Sequence, residues 1–470
     1  MTHAPVLLLP FRDYGAETLQ AEIARLVTID ADLVAWLGEA DSRRLVVVKP
    51  NWVQQAHEYE ADVWEPVITH PNVVLGVVIA LAELMHARGT IAVCDGPHTY
   101  ADFGAIVERG SFLTRFNALT DRFPQMQFEL LDLRREVWIR KEEVVVERHP
   151  NPPDPRGYVR LDLGVESEFY GHGGEGRYYG ADYDTTVVNR HHHGATHEYL
   201  LSGTAMHSDL LVNVPKLKTH KKTGISCSLK NLVGINGDKN WLPHHTEGTP
   251  ESGGDEFPRD AWLHRVEQQL KRAGRRFALS VPGVGTWVYR KARGIGQQVI
   301  GDSRSVVRNG NWHGNDTCWR MALDLNRALL YGNWDGTWRD AAAPKRYLSI
   351  VDGVVGGEGD GPLCPSAAPA GVLLAGTKAA AVDAVACQLM GFNPASIPLV
   401  ASAFEPHRWP VGEGLLEEVL VDDRRVGQVI PLTAVLPALT SGFRPHFGWE
   451  HAVLRQLERG VTNRHVEQAV

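Results

Sequence analysis

Within the stretch DLLVNVPKLKTHKKTGISCSLKNLVGINGD, two lysines and a histidine stand at alternate positions, Lys216, Lys218 and His220. In extended backbone successive side chains point to opposite faces, so these three would share one face. Two ammonium groups and an imidazole side by side suit a carboxylate or a phosphate. Pro215 ends the apolar run before them, which predicts an exposed edge or loop. Further on, Ile225, Leu229, Leu232 and Val233 recur at helical spacing, which predicts one amphipathic helix over 223–233. Its polar face would carry Thr223, Cys227, Lys230 and Asn231, with Gly234 as a left-handed cap. Lys230 could polarise a substrate or exchange a proton, and a cation beside Cys227 would favour its thiolate. The catalytic candidates are therefore Lys216, Lys218, His220, Lys230, Cys227 and Asn231.

Two further groups have the donor types of a metal site. His191, His193 and His197 would lie close together at the end of a strand, and imidazoles favour zinc, nickel or iron. The Gly-rich run DGVVGGEGDGP carries Asp352, Glu358 and Asp360, an all-oxygen set suited to magnesium or manganese. Those carboxylates could equally face the Lys216 cluster as its charge complement. The run has no lysine-serine ending, so it is not a nucleotide-binding loop. A divalent metal is thus a candidate cofactor of unassigned identity. The cysteines, Cys94, Cys227, Cys318, Cys364 and Cys387, contain no C-x-x-C pair, so neither an iron–sulfur cluster nor a disulfide framework is expected.

Elements that would position these groups alternate in the first part of the chain. Strands are predicted at Val6–Leu9, Leu45–Val48 and Thr90–Cys94, with helices at Glu17–Leu37 and Asn72–Ala87. That order predicts an α/β fold with a parallel or mixed sheet wound by helices, whose ligands gather at the strands' carboxyl ends. Lys49, Asn51, Asp95 and His98 fall there and are the substrate-binding candidates. The reading divides the chain into an N-terminal α/β portion at 1–122, a β/loop-rich insertion or lid at 123–198, and a third portion at 199–470 completing the sheet. Asp383, inside an apolar helical stripe, needs a buried partner, with a lysine or a site role as the alternatives. An amphipathic helix is predicted over Arg259–Arg276, while the basic, Gly-rich segment Gly283–Gly314 has no assigned role.

The strings VPKLKTH and SLKNLVGI, with VVVKPNWV, IVDGVVGGEGDGP and AAAVDAVACQLMGF, resemble the core pattern of the domain-of-unknown-function family 362, from about Val46 to Phe392. The resemblance implies no established activity. Some members carry an attached ferredoxin-like iron–sulfur module, whose cysteine spacing is missing here.

Composition narrows the function classes. Against 48 basic residues stand 56 acidic ones, a formal charge of −8, so the basic residues near Lys216 are a local feature and nucleic acid is not an expected partner. No apolar run has the length of a membrane span and the N-terminus lacks a basic leader, which predicts a cytoplasmic protein, with homo-oligomerisation left open. The expected function is an enzyme acting on a small carboxylated or phosphorylated metabolite, with or without a metal, its reaction class unassigned. The alternatives are a redox or electron-transfer accessory protein and a non-catalytic binding or assembly factor.

Overall fold

The computed structural model describes residues 4–141, 144–182, 184–259, 274 and 306–453. The helix expected over Arg259–Arg276 and most of the segment Gly283–Gly314 lie outside the described residues.

Side-chain alternation along the central strands divides the interior into two cores. In Leu45–Pro50 (β2), Val46 and Val48 enter one core and Val47 the other; in Leu210–Val214, Val212 and Leu211 divide the same way. A sheet buried on both faces needs helices on both, and the chain supplies them. Ala16–Val27, Ala31–Gly38 and Pro71–Leu84 cover one face, while Cys318–Tyr331 and Ala379–Met390 cover the other. The single helix expected over Glu17–Leu37 is two. Asp30 accepts a hydrogen bond from the Leu33 amide at 2.8 Å and so starts the second.

The remaining strands of the main sheet are β1 (Val6–Pro10), β3 (Gly89–Asp95), β4 (Met126–Asp132), β5 (Leu210–Val214), β6 (Lys216–His220), β7 (Gly224–Ser226), β8 (Arg346–Asp360), β9 (Cys364–Ala368), β10 (Val372–Gly376), β11 (Leu420–Asp423) and β12 (Gln428–Pro431). Their order is β12-β11-β1-β10-β8-β5-β2-β3-β4, with β6 and β9 on β8 and β7 on β6. The pairs from β8 through β4 are parallel and those of β10 antiparallel, so the fold is α/β with a mixed sheet. β4, placed with the insertion in sequence, is the sheet's edge. Beyond it come a hairpin, Glu136–Lys141 with Val144–Pro150, and a small sheet built on Tyr158–Asp162 and Thr196–Ser202.

β8 is the organising strand. Its first residues pair with β5, its middle with β10, and its Gly-rich half with β6 and β9. Hence the Gly-rich run, which its glycines would suit to a loop, continues the strand as far as Asp360. β5 passes into β6 through Pro215 alone, and β6 is buried along its length instead of forming an exposed edge.

Candidate active site

The carboxyl ends of β2, β3 and β5 converge on one buried polar network. Lys49 Nζ donates to Asp95 Oδ1 at 2.7 Å and to Asn231 Oδ1 at 3.3 Å, and both charged groups are almost wholly buried. Asn51 Nδ2 donates to Asn231 Oδ1 at 2.9 Å, and Asn231 Nδ2 donates to Asn213 Oδ1 at 2.6 Å. Asp95 Oδ2 accepts the Trp52 amide at 2.7 Å. Three sequence-predicted residues from the N-terminal portion, Lys49, Asn51 and Asp95, thus meet Asn231 from the central motif. Gly234 lies directly on this network without adopting the left-handed backbone of a cap. A Cβ there would come within 1.9 Å of Asp95 Oδ1 and 2.6 Å of Lys49 Nζ, so close approach is what the position requires.

The helix predicted over 223–233 is instead β7, a turn of helix at Ser228–Asn231 and a 3-10 turn at Leu232–Ile235. Its start is fixed by Asp383, which accepts the Ser228 and Leu229 amides at 2.7 and 3.0 Å. Asp383 therefore partners backbone rather than a lysine, and burial raises its carboxyl to about 6. Cys227 precedes this turn and is buried in the apolar core. Burial and the Asp383 carboxylate push its thiol well above the ordinary value, so the expected thiolate is not favoured.

Lys216 and Lys218 are fully buried. Lys216 donates to Asp352 Oδ2 at 2.6 Å, and Asp352 also accepts from Tyr14 Oη and the His70 amide, both at 2.8 Å. The Tyr14 ring stacks on His70 with centroids 3.7 Å apart. Among the described residues Lys218 donates to carbonyls alone, Val67 O at 2.5 Å and Pro362 O at 3.3 Å; burial holds its amine well below the ordinary value, and the nearby Lys216, Lys230 and Lys49 lower it further. Glu358 and Asp360 do not join them. Glu358 accepts the Arg444 amide at 2.9 Å, and Asp360 lies 4.0 Å from His446, because β8 and β9 turn these carboxylates toward the C-terminal segment. The predicted shared wall of lysines and three carboxylates is therefore reduced to Lys216 and Asp352.

The histidine set is also dispersed. His191 ends a helix, stacks on Trp241 at 3.4 Å and pairs with Glu198 at 2.9 Å; His193 is exposed; His197 is buried and bonds to Gly194 O at 3.2 Å. Among the described residues no group of three or more His, Cys, Asp or Glu side chains is arranged to hold a metal ion.

A second cluster lies beside the Lys49 network. His220 accepts the Lys222 amide on Nδ1 at 3.0 Å, which leaves Nε2 as the protonated, donating nitrogen. Lys222 Nζ lies 3.2 Å from His244 O, and Lys239 Nζ lies 3.1 Å from Val233 O. Lys230 is 8% exposed and has no hydrogen-bond or ion-pair partner among the described residues. Burial lowers its amine, and Lys49 lowers it further. Burial takes Lys222 to about 8 and Lys239 to about 7. Burial also holds His220 and His98 well below the usual imidazole value and His244 near 3, with neighbouring cations adding to each. Lys222, Lys239, His98 and His244 are partly exposed, so the cluster meets solvent on their side.

Sequence reasoning missed Lys222, Lys239 and His244. The first stands beside the predicted set in THKKT, but the other two lie beyond the motif, and only the 3-10 turn returns them to it.

The family described as "Domain of unknown function (DUF362)" matches residues 159–388 and bears out the resemblance over the central motif and β8. Lys49, Asn51 and Asp95 lie outside the matched residues and reach the motif only through the fold. A lactate racemase apoprotein from Thermoanaerobacterium thermosaccharolyticum is similar at 13% identity, over 50% of this chain and 39% of that one, with a TM-score of 0.22. This chain therefore spans well under half of that structure's length. A comparison with curated proteins gives no match. No helix among the described residues is long and apolar enough to cross a membrane.

Proposed function

We propose that the chain is an enzyme acting on a small anionic metabolite, bound where Lys218, Lys222, Lys230 and Lys239 gather beside the Lys49–Asp95 network. The observation that carries this reading is the absence, among the described residues, of any ion-pair partner for these four lysines, whereas Lys49 and Lys216 are each paired. Buried cations without counter-charges are costly, and an anionic ligand would supply the missing charge. Lys230, whose amine is lowered by burial, would accept or return a proton, with His220 Nε2–H donating to the substrate. Lys49, Asp95, Asn51 and Asn231 are positioning residues in this reading. They hold the turn that carries Lys230.

The test is calorimetric binding of small carboxylates and phosphates to the full chain, followed by a search for turnover by NMR. Lys230→Met should weaken binding at least tenfold and abolish turnover, with little change in Tm. Equal binding by wild type and variant would remove Lys230 from the site.

A further inference from the structure

We infer that the anion taken by the basic cluster is a phosphoryl group, carried as a dianion by a small metabolite. This rests on the reading that the cluster binds an anion at all. The charge count favours two negative charges over one. Lys218, Lys222, Lys230 and Lys239 reach the cluster from β6, from the turn after it, from the helical turn Ser228–Asn231 and from the 3-10 turn Lys239–Trp241. Of the acids associated with them, Asp95 is balanced by Lys49, and Asp255 supplies a single negative charge toward Lys222, so the lysines still outnumber the acids. Asp95 is engaged by Lys49 and the Trp52 amide, and Asp255 by the Thr246 and Asp316 amides and Thr317 Oγ1. A single carboxylate would balance one cation and leave the rest. A phosphoryl group offers three terminal oxygens, so it can accept from donors on several segments at once, including His220 Nε2–H.

A dianion in this position would also draw protons onto the amines. Burial leaves Lys222 at about 8 and Lys239 at about 7, so both are partly neutral near neutral pH and would become charged on binding. Burial lowers Lys218 and Lys230 as well, so binding should be accompanied by net proton uptake.

Titration calorimetry of the full chain with inorganic phosphate, acetate and malonate gives the ligand preference. Sulfate, a dianion that does not titrate, isolates the protein's own protons when buffers of different ionisation enthalpy are compared at one pH. Phosphate is expected to bind at least tenfold tighter than acetate or malonate, and sulfate to bind with proton uptake. Lys222→Met and Lys239→Met should each weaken phosphate about tenfold, consistent with loss of one charge-assisted contact. Lys239→Arg should retain binding but reduce the uptake, because the guanidinium stays charged. Acetate or malonate binding as tightly as phosphate would overturn the phosphoryl assignment and leave the anion reading standing. Failure of all four probes to bind would overturn both. Tight phosphate binding indifferent to Lys222→Met and Lys239→Met, or sulfate binding without proton uptake, would place the anion outside this cluster.

Discussion

Lys216 and Lys230 belong to the same short motif and have opposite circumstances. Lys216 neutralises Asp352 at 2.6 Å in a site closed to water, and Tyr14 and the His70 amide complete the carboxylate's hydrogen bonds. Removing its charge would leave a buried carboxylate uncompensated, so Lys216→Met should cost about 3–5 kcal/mol in urea denaturation. Lys230→Met removes an amine that has no partner among the described residues, and its stability should stay within about 1 kcal/mol of wild type. Comparable losses in both variants would mean that Lys230 is structural. The sequence presents Lys216 and Lys230 alike, since a lysine's partner can lie far along the chain: Asp352 is 136 positions away.

At the scale of elements, the turn Ser228–Asn231 is too short to hold itself, because a helix of one turn has few internal bonds to set against its ordering. Asp383 holds its first two amides from the helix Ala379–Met390, and Asn213 Nδ2 donates to Ser228 O at 2.8 Å. Asp383→Ala should therefore cost about 1–3 kcal/mol and weaken anion binding through Lys230, measured by urea denaturation and calorimetry together. Loss of stability without any change in binding would detach the cap from the site. The sequence made the strands and the winding helices legible, because alternation and helical spacing over several residues are strong signals. It misled over 223–233, where four apolar residues at helical spacing are shared between a strand and two short turns. It misled again at the Gly-rich run, because Gly and Asp are poor strand formers; their place in β8 is imposed by pairing with β6 and β9.

For the molecule as a whole, the buried lysines tie stability to pH. Lys239 has a folded value near 7 against an ordinary 10.5. Between those values the unfolded chain holds a proton that the folded chain does not, so this amine's penalty is fully present below about pH 7 and fades as pH rises. The stability of wild type relative to Lys239→Met should therefore climb between about pH 7 and about pH 10 in urea denaturation. A flat difference would place the Lys239 amine at its ordinary value. With a bound dianion the climb should shrink, since the charged amine is then favoured in the folded state.

The passage of β5 into β6 through one proline has a consequence for how the molecule breathes. β8 pairs with β5 at its start and with β6 further on, and β7 lies on the other side of β6. The amides of this strand that face β8 therefore exchange with solvent deuterium only when that pairing opens, while those that face the short strand β7 need only its release. In the language of hydrogen exchange, the side of the cationic strand that faces β8 is expected to share the protection of the central ladder. Traffic between the cluster and solvent then falls to the side chains at its partly exposed margin, Lys222, Lys239, His98 and His244, which can move while the strand beneath them does not.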